Sequence, residues 1–290
     1  MRKTYIIRAL ALIVVELIFH STCSLYAQNT VAMPFAAKPA DASSAGKAGI
    51  SFTDTPLLYG RTLDISAGYM LWSPTYDPVN NINISATYCL AEKISFSIDG
   101  MYGTGNDYGQ VEIGLGAGYR MTDFLAARIH IKYLSENLTP KVSYGAFGAD
   151  LAVDCLLPIS DNGKIAADLG IFSIGSKVTS ASGIKYSLPS SARIGAGYIH
   201  DIDKKNSFTI LTEADYYFHN AIGAAVGAEA KIAEMISVRA GYRYGAKYVL
   251  PSFVSAGIGV KFADIKIDAA YLFANEVIGN TTAISLGYCF

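Results

Sequence analysis

The stretch Thr282-Ala283-Ile284-Ser285-Leu286-Gly287-Tyr288-Cys289-Phe290 closes the chain and alternates without a break. Thr282, Ile284, Leu286, Tyr288 and Phe290 fall on one face, and Ala283, Ser285, Gly287 and Cys289 on the other. Period-two alternation of this kind marks a strand with two different faces. The same pattern recurs upstream. In 63–69 the residues Leu63, Ile65, Ala67 and Tyr69 share a face. In 82–90 it is Ile82, Ile84, Ala86, Tyr88 and Leu90. Residues 93–102, 111–120 and 125–133 repeat it.

Nine more segments follow, at 142–157, 164–175, 190–200, 207–218, 221–232, 235–244, 252–262, 265–273 and 281–290. Together these predict about 14 strands, most near the ~9–11 residues that cross a bilayer at a tilt. The connections sort by parity. Those at 91–92, 122–123, 160–163, 201–206, 233–234 and 263–264 are short, and the alternate ones at 73–80, 103–108, 135–141, 177–189, 245–251 and 274–280 are mostly longer. Asn220 marks a tight turn where a long loop is due. Short turns on one rim and longer loops on the other are the asymmetry of outer-membrane barrels, and an aromatic terminal strand suits that class.

Charge placement sets the polarity of the two faces. Only 16% of the 290 residues are charged, and the net charge is −1. On the strands, the charges share the face opposite the aliphatic residues: Asp64, Asp99, Glu112, Arg128, Lys132, Asp150, Asp168, Arg193, Glu229 and Asp268 among them. A lipid-facing Lys or Arg at the bilayer midplane costs about 2–4 kcal/mol, so the aliphatic face is predicted outward and the charged face inward. Tyr residues near strand ends (Tyr69, Tyr88, Tyr102, Tyr119, Tyr133, Tyr198, Tyr242, Tyr271, Tyr288) suit interfacial girdles. No basic excess points to nucleic acid.

Residues 1–27 read as a secretory signal: Arg2 and Lys3, an apolar run from Ile6 to Phe19, and Ala27 before the cleavage point. Beyond it no apolar run approaches the ~20 residues of a helical span. The chain therefore divides into a signal (1–27), a non-repetitive segment rich in Ala, Ser and Gly (28–61), and a barrel (62–290). The fold class is all-β: a single transmembrane antiparallel barrel with an N-terminal plug-like segment. Eight strands already enclose as much space as side chains fill, so about 14 leave a lumen to occlude, and Leu57, Leu58 and Tyr59 are the plug candidates. Of the cysteines beyond the signal, Cys89 and Cys289 face inward near one rim, where a bridge is geometrically open to them; Cys155 is left over.

Several short motifs resemble a known family. Pro39-Ala40-Asp41-Ala42-Ser43-Ser44-Ala45-Gly46-Lys47-Ala48-Gly49-Ile50 is similar to the opening of mature PorV/PorQ-like outer-membrane proteins. Arg239-Ala240-Gly241-Tyr242-Arg243-Tyr244, Ser255-Ala256-Gly257-Ile258-Gly259-Val260-Lys261-Phe262 and Ile267-Asp268-Ala269-Ala270-Tyr271 resemble its later strands. The chain departs from it at Pro56-Leu57-Leu58-Tyr59-Gly60, where the family commonly carries an Asn-Pro-Ala turn, and it is shorter than typical members. The family is similar to FadL-type barrels. The resemblance implies a fourteen-stranded fold with its N-terminal segment inside, in a Gram-negative outer membrane, with short turns and both termini periplasmic. It also implies a link to type IX protein secretion, with secretion-system subunits or exported cargo as partners beside outer-membrane lipid. The alternative is a FadL-type channel for a small hydrophobic molecule. That reading needs an apolar pocket, for which Leu57, Leu58, Phe172 and Phe253 are candidates.

No catalytic, metal or cofactor motif stands out, and no enzyme activity is expected. The run Gly114, Gly116, Gly118 precedes no helix and is not a phosphate loop; these glycines either relieve crowding or admit a plug. The lumen-lining candidates are Arg128, His130, Lys132, Glu213, Asp215, Arg239 and Arg243. His130 between Arg128 and Lys132 is a ligand contact, a general base or one member of a charge network; Glu213 and Asp215 could act as paired carboxylates but are expected rather to balance Arg193, Arg239 and Arg243.

Overall fold

A computed structural model describes residues 31–54, 56–73, 78–139, 142–180, 182–246, 249–274 and 279–290. The expected signal lies outside the described residues. Fourteen antiparallel strands form a closed barrel. In chain order they are β1 (Leu63–Ser73), β2 (Val79–Leu90), β3 (Ile94–Thr104), β4 (Gly109–Thr122), β5 (Leu125–Thr139), β6 (Val142–Ser160), β7 (Gly163–Gly175), β10 (Ser191–Asp201), β11 (Ser207–Tyr217), β12 (Ala221–Ile232), β13 (Ile236–Tyr244), β14 (Phe253–Phe262), β15 (Ile265–Ala274) and β16 (Asn280–Cys289). A two-residue ladder, β8 (Val178–Thr179) with β9 (Lys185–Tyr186), lies in the connection from β7 to β10.

Each strand pairs with its sequence neighbours, and β16 returns to β1 with Asp64 opposite Cys289 and Ser73 opposite Asn280. Phe290 completes that seam. Its carbonyl accepts from the amides of Thr62 (2.7 Å) and Leu63 (2.9 Å), and its own amide donates to Leu63 O (2.8 Å). Closure leaves no unpaired edge, which lipid would penalise.

The alternation becomes an inside and an outside. Leu115 (61% exposed), Ile84 (60%), Phe147 (63%) and Ile222 (62%) point outward, whereas their neighbours Gly114, Gly148 and Gly223 face the lumen or its wall. A soluble barrel is built the other way round, so the apolar outer surface is that of a transmembrane barrel. Cys89, Cys155 and Cys289 are all free thiols; no Cys89–Cys289 bridge forms, and Cys289 Sγ instead lies 3.4 Å from Asp64 Oδ2.

The rims differ as expected, with two exceptions. Turns at Ala91-Glu92 and Ala233-Glu234 hold both residues at positive φ (49° and 55°, 54° and 57°), the tight hairpin geometry that matches strand twist. The segment 135–141, expected as a loop, is instead mostly strand: β5 runs to Thr139 and β6 begins at Val142, so this hairpin continues past the end of β7, whose pairing with β6 stops at Gly148 and Gly175. The loop 177–189 carries the β8–β9 ladder.

The outer face predicts a measurable cost. Leu115 sits mid-strand in β4. Leu115→Arg is expected to destabilise the folded barrel by about 2–4 kcal/mol, read from urea unfolding in lipid vesicles. The same change at lumen-facing Glu112, which keeps a polar side chain inside, is expected to cost less.

Candidate functional site: the lumen and its N-terminal segment

The described N-terminal residues begin at the long-loop rim and descend through the barrel. The Ala32 amide donates to Ser187 O at 2.9 Å. Met33 and Phe35 pack with Leu134, Ala146, Val178 and Leu188, an apolar cluster at that rim. A one-turn helix α1 (Ala42–Gly46) follows, capped by Asp41, whose Oδ1 accepts from the Ser44 amide at 2.7 Å. The segment ends at the short-turn rim, where Leu57 and Leu58 pack on Cys89 and Ala126, with Tyr59 alongside. Residue 31 therefore lies at the long-loop rim, while the ends of the barrel itself, Leu63 and Phe290, meet at the short-turn rim.

This segment lies against one side of the lumen. Helix α1 contacts β13, β14, β15 and β16. Small inward residues make room for it. A Cβ on Gly241 would meet Ala48 N at 2.7 Å, and one on Gly257 would meet the Gly46 Cα at 3.1 Å. Polar groups then pin the backbone: Ser255 Oγ donates to Gly46 O and accepts from the Ala48 amide, both at 3.1 Å, and Arg243 Nε donates to Ala48 O at 2.7 Å. The glycines singled out in the sequence do other work. Gly114 leaves room for His130 and Asp99, while Gly116 leaves room for Ser97 and Gly118 for Ser95.

The charged inner wall is organised in clusters. Arg128 spans two strands to Asp154 (2.8 Å) and Asp168 (3.0 Å), which face each other across β6 and β7. His130 Nε2 meets Asp99 at 2.6 Å and Nδ1 meets Asp150 at 3.5 Å; Lys132 also holds Asp150, at 3.0 Å. Glu213 and Asp215 are shared by Arg193 and Arg243. Arg239 does not join them as expected. It bridges Glu229 and Asp268, which stand beside it on β12 and β15.

The four apolar residues expected to share a pocket are separated. Leu57 and Leu58 lie at the short-turn rim, and Phe253 packs in the core with Trp72 and Leu250. Phe172 sits between the guanidiniums of Arg128 (5.8 Å) and Arg193 (4.3 Å). A register shift between β6 and β7 sets its place: Ser173 takes φ 53°, and Asp150 Oδ1 accepts its amide at 2.6 Å.

Space remains on the side opposite the helix. A cavity of about 380 Å³ lies between the N-terminal segment and the wall from β1 round to β7 and β10, bordered by Lys38, Asn83, Glu112, Lys132, Phe172 and Arg193. A second, about 280 Å³, is lined by Pro56, Ser97 and His130. Asp99, Arg128 and Asp150 line both. A wider vestibule of about 720 Å³ lies at the short-turn rim near Asp161, Lys205, Glu234 and Lys261.

The chain is thus a closed fourteen-stranded barrel with an apolar exterior and a charged, segment-filled lumen. Solved structures of that shape are FadL-type outer-membrane channels. The toluene transporter TbuX of Ralstonia pickettii superposes with a TM-score of 0.60 at 12% identity, covering 88% of this chain and 99% of that one. The monoaromatic hydrocarbon channel CymD gives 0.58 at 12% identity, covering 87% and 97%. A FadL homologue of Pseudomonas aeruginosa gives 0.51 at 10% identity, covering 87% and 98%. At these identities the likeness is one of fold. No family model matches the chain, and no curated protein matches it. No comparison supports the PorV/PorQ resemblance or a link to type IX secretion.

The wall clusters predict a charge-removal phenotype. Arg128 is the ion-pair partner of both Asp154 and Asp168 among the described residues, and those carboxylates are almost fully buried. Arg128→Met strands two buried anions and is expected to cost about 3–5 kcal/mol in urea unfolding. Adding Asp154→Asn and Asp168→Asn is expected to return most of the loss.

Proposed function

We propose that this chain is a small-molecule channel of the Gram-negative outer membrane, non-enzymatic, with short turns in the periplasm and residues 28–61 acting as its plug. Residues 1–27 keep their reading as the export signal. One observation carries the proposal: the N-terminal segment fills one side of the lumen and leaves adjoining cavities of about 380 and 280 Å³ along the other. Apolar seals bound this path, Met33, Phe35, Val178 and Leu188 at the loop rim and Leu57 and Leu58 at the turn rim. The solved neighbours are named as transporters or channels for toluene and monoaromatic hydrocarbons. The apolar seal at the loop rim supports capture of a small molecule by its hydrophobic part. The cavity beneath is charged, so the cargo that fits is amphipathic rather than a bare hydrocarbon. Nothing in the lumen supports a secretion partner.

The test displaces the plug without touching the outer wall. Gly241→Val puts a branched side chain where even a Cβ would meet Ala48 N at 2.7 Å. Proteoliposomes with this variant are expected to swell severalfold faster in a small sugar than those with the native chain, while the unboiled protein still runs as a compact barrel on a denaturing gel. Unchanged flux with the barrel intact would sink the channel reading.

A further inference from the structure

Most ionic groups on the lumen wall are satisfied by one another; two bordering the 380 Å³ cavity are not. The Glu112 carboxylate projects from β4 and makes no hydrogen bond or ion pair among the described residues. Its charged neighbours Asp99, Asp150, His130 and Lys132 bind each other instead. The Lys38 ammonium, in the N-terminal segment, is the other. It stands 4.5 Å from the centre of the Trp72 ring and has no hydrogen-bond acceptor among the described residues. The charged group that acts on it is Glu136 on β5, which already accepts from Tyr108 Oη (2.6 Å) and the Met33 amide. Burial pulls the Lys38 ammonium down to about 8, with Glu136 opposing the shift. Both ions are only partly covered, and one of each sign borders a single cavity.

Their levels differ. Glu112 stands opposite Leu134. Glu136, beside Lys38, lies two residues farther along β5 toward the long-loop rim, or about 7 Å at strand rise. A ligand answering both adds about 3 Å of contact at each end, so its own charges stand closer together than the two side chains do. Phe35, Met101, Phe172, Tyr217 and Leu250 line the same cavity with apolar surface, and the volume lies within the ~300–1,000 Å³ of small-molecule sites.

We propose that this cavity binds a small amphipathic zwitterion, an amino acid or a short peptide, with its carboxylate at Lys38 and its ammonium at Glu112. This deepens the channel reading and rests on it, because the path past the plug is what delivers the ligand.

The assay uses the full chain in detergent and its single tryptophan. Trp72 is buried beside Lys38, so its emission reports an anion arriving there. The probe is the dipeptide Leu-Phe, compared with its N-acetylated form, its C-terminal amide and toluene. Leu-Phe is expected to change the emission saturably, and each capped form to bind about tenfold more weakly or worse, the loss of one charge-assisted contact. Glu112→Gln is expected to erase the preference over the acetylated form only, and Lys38→Gln the preference over the amide only. A generally disturbed barrel would lose both together.

The Lys38 contribution is present below pH ~8 and lost above it as the ammonium deprotonates. The peptide amine titrates over the same range, near ~7.7–8, so the decline in affinity with pH is expected to be one proton shallower in Lys38→Gln. Capped forms binding as tightly as Leu-Phe, or binding of toluene alone, would overturn the zwitterion site while leaving the channel in place. Charge-selective binding without solute flux in proteoliposomes would keep the site and remove the channel reading.

Discussion

The constraint on which the rest depends is that backbone amides and carbonyls within a bilayer have no water to bond. A sheet meets it only by closing, and here closure falls on the pairing of β1 with β16, finished by the reciprocal bonds between Leu63 and Phe290. Closing at fourteen strands creates a second problem, since a lumen of that width exceeds what wall side chains fill. Both the charged inner wall and the internal N-terminal segment answer it. The first problem determines which residues face lipid; the second determines what the inside must contain.

The inner charges are arranged to limit their own cost. A lone buried ion is penalised by several kcal/mol, and a pair recovers this only with good geometry and further hydrogen bonds. Arg128, Arg193, Arg239 and Arg243 each contact two carboxylates; those of Arg128 and Arg239 lie on two different strands, while Arg193 and Arg243 share Glu213 and Asp215 of β11. These bridges run around the wall, across the strand direction, and add side-chain ties to the backbone ladder. Arg243 also reaches inward to Ala48 O, coupling the wall to the segment it encloses. The same residues that stiffen the barrel therefore hold its contents.

The strands were legible because their signal is local. Alternation at Ile113, Leu115 and Ala117, or at Ile284, Leu286 and Tyr288, can be read without knowing any partner strand. The loop parity followed from the same segmentation. What depended on register was not legible. The alternation alone groups Arg239 with Glu213 and Asp215 on neighbouring strands, whereas the pairing sets Glu229 directly opposite it and brings Asp268 within reach from β15. Residues 135–141 looked polar enough for a loop, but pairing between β5 and β6 carries the strands through most of them. The path of residues 31–61 had no periodic signature at all. Leu57 and Leu58 stood out as apolar, yet their seat against Cys89 and Ala126 depends on which inner wall lies opposite.

That wall is uneven, and the unevenness decides where the lumen is open. On β12 to β16 the inward positions include Ala225, Gly227, Gly241, Gly257, Ala270 and Ala283, and the helix and the backbone after it settle there. Gly46 lies within van der Waals reach of Gly257, and Ala48 of Gly241. On β4 to β7 the inward positions include Glu112, Arg128, His130, Lys132 and Phe172, which border the open space, while Gly114 and Gly116 make room for side chains of neighbouring strands rather than for the segment. Size alone does not divide the two sides, because Arg239 and Arg243 stand on the filled one; there Arg243 bonds Ala48 O and so holds the segment it faces. The open path is polar because Asp99, Glu112, Arg128, His130, Lys132 and Asp150 line it, ions on the strand face opposite the lipid-side Ile and Leu residues.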